Sequence, residues 1–180
     1  GGLQGPQQGL IWTDLALWSM QYVNLPDVYN FNEIATGCSL IGKKAMAILN
    51  NMVFWMSQSQ FFSFSGEGVK PLPCTVWDFI FQELDTTQVD RIRAAANSRF
   101  NEVSWFFPTQ SSGGEVNAYV KYSLATGGWD FGYLSRTAWI DQSVLGPPVG
   151  GSSDNLVFQH ETSPDADGQP LVVALAQALR

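Results

Sequence analysis

The sequence predicts an all-β chain: a partial β-propeller of about three to four blades with one short inserted helix. Three observations carry this. Short runs rich in Val, Ile, Phe, Trp and Tyr are separated by Gly, Asn, Ser and Pro, the pattern of strands between turns. A motif also recurs. Val53-Phe54-Trp55 and Val103-Ser104-Trp105 share Val-x-Trp, fifty residues apart, each inside a longer similar stretch at 50–56 and 100–106. Finally, 13% of the 180 residues are aromatic and only 14% charged, against about 25% charged in an ordinary soluble domain. Such a chain has apolar sheet faces to hide.

The elements follow in order. Residues 10–12 and 16–23 read as two strands joined at Thr13-Asp14. Residues 52–56 and 61–64 flank the polar turn Ser57-Gln58-Ser59-Gln60, and Ser65-Gly66-Glu67-Gly68 ends that pair. Residues 103–107 and 118–124 flank a longer loop at 108–117. Thr126-Gly127-Gly128 then turns into a strand at 129–134. Residues 156–160 make one more strand before a turn at 163–168. One segment departs from period two. In 85–99, Asp85 or Thr86 is a natural N-cap, and Val89, Ile92 and Ala95/Ala96 follow at helical spacing. A short amphipathic helix is predicted there, with Arg91, Arg93 and Arg99 on its solvated face. Residues 171–180 are short and apolar and fit helix or strand.

A weaker third copy of the repeat begins at Asp154-Asn155-Leu156-Val157-Phe158. Grouping by repeat places blades at 10–36, 37–84, 85–140 and 141–180. A four-stranded blade hides its apolar faces only against neighbouring sheets around an axis, with the recurring aromatics between them. A sandwich of similar hairpins is the competing architecture. Propellers close with about four to eight blades, and the sequence starts mid-pattern without Met. The chain is therefore expected to be part of a longer one.

Composition excludes several functions. Sixteen acids against nine bases give a net charge of −7 and a pI near 4.4. Gripping a phosphate backbone takes clustered Lys and Arg, and the only close basic groups are Lys43-Lys44 and Arg91/Arg93/Arg99. No run of 18 apolar residues occurs, so no membrane-spanning helix is expected. The first ten residues lack the charged and apolar regions of a signal peptide. Cys38 and Cys74 form no CxxC and have no paired His, which predicts two half-buried free thiols.

Catalytic constellations are missing as well. His160, the only histidine, precedes Glu161 and fits a blade-edge or core imidazole better than a general base. A second reading makes it a pH-sensitive contact. Asp78/Glu83, Asp165/Asp167 and Glu102 are glycosidase candidates by residue type alone, since nothing in the spacing sets a pair about 5 or 9 Å apart. Asp165-Ala166-Asp167-Gly168 has a D-x-D-G core without the rest of a calcium loop. It reads as a turn led by Pro164. Trp12, Trp18, Trp77, Trp105, Trp129 and Trp139 are expected to pack between blades, with sugar stacking as the alternative. No catalytic, cofactor-binding or metal-ligating residue is assigned, and no enzyme activity is expected.

Several segments resemble the β-propeller tail proteins of short-tailed bacteriophages. They are residues 57–67, Pro71-Leu72-Pro73-Cys74-Thr75-Val76-Trp77-Asp78, and Asn97-Ser98-Arg99-Phe100-Asn101-Glu102-Val103-Ser104-Trp105-Phe106-Phe107. Gly127-Gly128-Trp129, Arg136-Thr137-Ala138-Trp139-Ile140-Asp141 and Phe158-Gln159-His160-Glu161 continue the series. They stand in the family's order across roughly residues 10–170. The family comprises the tail nozzle, or tail-tube, protein and the related packaged-DNA stabilisation protein. The resemblance implies a virion structural protein without catalytic residues or cofactors. It would form a hexameric ring below the portal and its adaptor, retain the packaged DNA, and open for its ejection. Residues 171–180 depart from the family, which would place a polar strand and turn there. An acidic lumen suits this role, because it repels passing phosphate within a Debye length of about 8 Å. A receptor- or glycan-binding tail propeller is the alternative, and a propeller glycosidase the third reading.

Overall fold

The computed structural model describes residues 8–24 and 26–162, together with the backbone of 2–3, 165–166 and 169–170. The first sheet contains β1 (Gly2–Leu3), β2 (Gln8–Trp12), β3 (Ala16–Tyr22) and β4 (Tyr29–Thr36). The second contains β5 (Met46–Leu49), β6 (Met52–Met56), β7 (Phe61–Phe64) and β8 (Val69–Leu72). Helix α1 (Trp77–Glu83) and a 3-10 turn (Thr86–Arg91) follow. The third sheet contains β9 (Arg93–Asn97), β10 (Glu102–Pro108), β11 (Val116–Ser123) and β12 (Trp129–Tyr133). The fourth contains β13 (Ala138–Ile140), β14 (Val149–Gly151) and β15 (Val157–Gln159), and a hairpin pairs β16 (Asp165–Ala166) with β17 (Gln169–Pro170). Each sheet is an antiparallel meander in chain order. Strand makes up 49% of the described residues and helix 8%, so the all-β expectation holds.

Turn chemistry sets the hairpins. Asn50 and Asn51 carry φ of 51° and 60° between β5 and β6, the doubly left-handed backbone of a type I′ turn that matches strand twist. Asn tolerates that region better than other side chains with a Cβ.

The sheets pack face to face in sequence. Because strand side chains alternate, Val53 and Trp55 of β6 share one face and pack with Leu10 and Leu17 of the first sheet. Phe54 and Met56 point the other way and join Val103, Trp105 and Phe107 of β10. Phe106 points onward again, toward Trp139 of β13. The repeated Val-x-Trp is therefore one face of the second strand, turned back onto the preceding sheet. Burial on both faces explains the continuous apolar run of β6 and the phenylalanines on both sides of β7, where only Ser63 is polar.

The seam between the second and third sheets is narrow at one end and filled at the other. Next to β5, Lys44 accepts a main-chain bond from Ala94 of β9 at 2.8 Å. Toward the outer strands α1 inserts Ile80, and Leu84 beyond it, into the same core. There Phe81 meets Phe61 of β7 at 5.9 Å and Phe79 meets Phe131 of β12 at 4.1 Å.

The helix predicted over 85–99 is a correction. Asp85 does cap, accepting from Thr87 N at 2.9 Å, but the turn it opens is 3-10 and ends at Ile92, whose backbone is extended. Residues 93–97 are a strand instead. Its alanines are good helix formers, yet they pair with β10 from Asn97↔Glu102 to Arg93↔Phe106. Small side chains let β9 sit against both neighbouring sheets, and that tertiary pairing outweighs the local preference. The three arginines share no solvated face. Arg91 pairs with Glu115, Arg93 Nε donates to Thr137 O at 3.2 Å, and Arg99 donates to Glu161 O at 3.0 Å. Ala138–Ile140, grouped with the third blade by the repeat, pairs forward with Val149–Gly151. The turn at 163–168 is described only where Asp165–Ala166 pairs with Gln169–Pro170. Asp167, Gly168 and residues 171–180 lie outside the described residues.

Candidate functional site

The distinctive chemistry of this chain sits at the seams between sheets. Trp55 donates its indole N–H to Cys38 O at 3.0 Å, Trp105 to Ala45 O at 3.1 Å, and Trp139 to Ala96 O at 2.8 Å. In each case a tryptophan facing back toward the preceding sheet bonds a main-chain carbonyl earlier in the chain. The ring supplies apolar area and the N–H finds an acceptor as it is buried; Ala45 O also accepts from Met56 N at 3.1 Å. Trp105 is further enclosed by Phe61, with ring centres 4.7 Å apart, and stacks near Trp129 at 6.1 Å. Trp12 meets Trp55 edge-on at 5.5 Å. Its own buried N–H has no partner.

The third seam carries the polar cluster. Arg136 is buried, and its guanidinium lies 4.3 Å over the Phe158 ring. Its Nε donates to His160 Nε2 at 2.8 Å, and its Nη1 to Ser135 O at 2.6 Å. Trp139 lies 4.6 Å from the imidazole. Gly150 forms the floor: a Cβ there would stand 2.7 Å from Arg136 Cδ and 2.9 Å from His160 Nε2. Burial first, and the Arg136 charge second, lower the His160 pKa to about 4. The imidazole is thus neutral at pH 7 and its Nε2 lone pair is engaged by Arg136. A group so held is a structural acceptor and a poor proton-transfer base.

The same seam is fastened at its end by acids. Asp141 accepts from Ser98 N at 3.1 Å, and Glu161 Oε1 accepts from Asn97 Nδ2 at 3.3 Å. Sequence reasoning singled out His160 and Glu161 but not Arg136. The usable signal was Arg136 and Trp139 three residues apart in a chain of low charge.

The other candidates lie apart from this cluster. Glu102 binds Lys121 at 3.3 Å, and Lys121 also reaches Asp130 at 3.8 Å, so Glu102 belongs to a cross-strand ion network. Asp78 and Glu83 occupy opposite ends of α1. Among the described residues no three His, Cys, Asp or Glu side chains converge as a metal site. Cys38 is buried and Cys74 half-buried, both are free, and burial pushes both thiols up. Trp12, Trp105, Trp129 and Trp139 pack within seams. Trp77 and Trp18 do not. Trp77 is 43% exposed beside a cleft of about 260 Å³ lined by Ser59, Gln60, Pro71, Leu72, Pro73 and Cys74. No described helix is long and apolar enough to cross a membrane. No family model matches the chain, and no curated protein matches it.

Proposed function

We propose that this chain is a sector of a β-propeller in the tail of a short-tailed phage. In this reading it is a virion structural protein that helps retain packaged DNA and forms the channel for its ejection. One observation supports the propeller most directly. The first strands of the second, third and fourth sheets, β5, β9 and β13, are neighbours, while α1 wedges between the outer strands of the second and third, as blades splay from an axis. The tail assignment rests on the resemblance of residues 57–67, 71–78, 97–107, 127–129, 136–141 and 158–161 to the nozzle and DNA-stabilisation proteins. A passive role agrees with the third seam, where Asp141 and Glu161 beside the fourth sheet bind Ser98, Asn97 and Arg99 beside the third, and Arg136 and His160 tie the ends of the fourth sheet to each other. A net charge of −7 suits a passage that DNA must traverse without sticking. The partners in this reading are other copies in a hexameric ring, the portal and adaptor above, and DNA in transit.

The test is the mass and shape of the particles that carry the chain, by native mass spectrometry and negative-stain microscopy. Rings or tail-like particles are expected. A compact monomer in the source material overturns the assignment. A glycan-binding tail propeller is the second reading, favoured by the exposed face of Trp77 beside Gln60 in the cleft. It predicts quenching of Trp77 fluorescence by host-surface oligosaccharides, abolished in Trp77→Ala.

A further inference from the structure

The seam between the third and fourth sheets opens, beside Arg93, into a cleft of about 220 Å³. Three inner segments of the chain line it. They are Arg91 and Arg93 where the 3-10 turn passes into β9, Glu115 and Val116 at the start of β11, and Thr137 just before β13. The local sequence sets this placement. Ile92 is extended and fully buried, so Arg91 and Arg93 on either side of it project away from the core it enters. Ala95, two residues after Arg93 on the same face of β9, packs with Phe106 and Trp139. That face is the one turned to the fourth sheet. Val116, itself buried, closes the floor.

The two guanidiniums are held differently. Arg91 pairs with Glu115. Arg93 donates Nε to Thr137 O at 3.2 Å, a neutral acceptor, and its two terminal nitrogens bond no acid or carbonyl among the described residues. A guanidinium anchored through Nε keeps its other edge free, the fork of Nη1 and Nη2 that matches both oxygens of one oxyanion. Anchoring also removes side-chain freedom before a ligand arrives, which strengthens binding. Charge then selects among oxyanions. Arg91 and Arg93 against Glu115 leave one net positive charge on the lining, which a single carboxylate balances. A phosphate carries about 1.5 to 2 negative charges at pH 7, and the excess would face Glu115. Size agrees: pockets for drug-sized ligands run to about 300–1,000 Å³, and this smaller cleft suits a group of a few atoms.

We propose that this cleft is a binding site for a single carboxylate group, held bidentately by the terminal nitrogens of Arg93 with Arg91 as the second cation beside it. Thr137 is a positioning residue, since its main-chain oxygen sets the direction of the Arg93 fork. Glu115 sets selectivity: it holds Arg91 in place and keeps more highly charged anions out. Two sources offer this chemistry, a free small carboxylate and an acidic side chain of another protein, and the experiment separates them. The site goes beyond the passive structural reading above and stands without it, because it rests only on the local geometry of the third seam.

The experiment is an NMR titration of the full chain at pH 7 and constant ionic strength, read at the arginine Nε–H signals and the amides of 91–93, 115–117 and 137. The probes are sodium acetate, the peptide acetyl-Gly-Glu-Gly-amide and sodium phosphate. Saturable shifts confined to these residues are expected with acetate and peptide, and none with phosphate. Arg93→Gln should weaken binding at least about tenfold, the effect of losing a charge-assisted hydrogen bond. Arg93→Lys, which keeps the charge and loses the fork, should also weaken it, and serves alone if circular dichroism shows Arg93→Gln misfolded. Glu115→Gln should tighten acetate and admit phosphate. Tighter binding of the peptide than of acetate assigns the source to an acidic protein segment, and equal binding to a free carboxylate; both support the site. A parent chain without saturable shifts overturns the proposal, as does phosphate binding it as tightly as acetate, or Arg93 variants that bind undiminished. Tighter binding after Asp165→Asn and Asp167→Asn also overturns it, giving the cleft to the chain's own acids.

Discussion

A single donor distinguishes two tryptophans in the same kind of seam. Trp105 donates to the carbonyl of Ala45, whereas the buried N–H of Trp12 has no partner. Ala45 O keeps its bond from Met56 N, so losing the Trp105 donor forfeits one net hydrogen bond of about 0.5–1.5 kcal/mol, while removing an unsatisfied donor relieves a desolvation penalty. Trp105→Phe should therefore lower the urea midpoint clearly, and Trp12→Phe considerably less. Equal losses would mean that ring area alone sets both values. His160 gives a second prediction at this scale. Its folded pKa of about 4 lies below its ordinary 6.5, so between those values the unfolded chain binds the extra proton. Stability then rises with pH across the window: it is full above 6.5 and is lost as pH falls toward 4. Thermal melts of the parent chain should show this slope, and His160→Gln, which keeps an acceptor for Arg136, should flatten it. Unchanged slopes would locate the acid sensitivity in other groups.

Among the elements, α1 decides the seam between the second and third sheets. Ile80 is fully buried in the core they share. Ile80→Ala is expected to cost about 2–5 kcal/mol by leaving a cavity the flanking sheets cannot close. Chemical denaturation measures it, and a change within error would show that α1 is a peripheral cover. Gly150→Ala tests the floor of the Arg136–His160 contact. Its methyl meets both side chains below 3.0 Å, so overpacking of about 1–3 kcal/mol is expected, with β13 to β15 losing amide protection before the second and third sheets. No helix was expected at 77–83, although the sequence holds its pattern. Trp77, Ile80, Phe81 and Leu84 stand at i, i+3, i+4 and i+7, a helical stripe. Its aromatic residues, which also favour strands, hid that spacing among the surrounding β runs. In 85–99 the reverse happened, because three alanines imitate a helix wherever no partner strand is in view.

For the whole molecule, each sheet packs on its sequence neighbours, so stability should be distributed as in a linear array. Hydrogen exchange is expected to be slowest in β6, β7, β10 and β11, buried on both faces, and faster in β4 and β15, whose residues are largely exposed. Uniform protection would instead indicate one undivided cooperative unit.

The chain's own sequence determined the class of structure, the repeating unit and its apolar faces. Alternation, turn residues and Val-x-Trp at fifty-residue spacing are local properties, readable wherever a strand must hide one side or two. It also held the residues of the third seam, His160 and Glu161 among them, without their arrangement. What only the tertiary structure decided is which faces meet. The pairing of β9, the fourth-sheet place of β13, the wedge of α1 and the contact of Arg136 with His160 across 24 residues each depend on a partner distant in the chain. Sequence periodicity records that a surface must be covered. The free energy of covering it is set by the neighbour that arrives, and that neighbour exists only once the sheets have stacked.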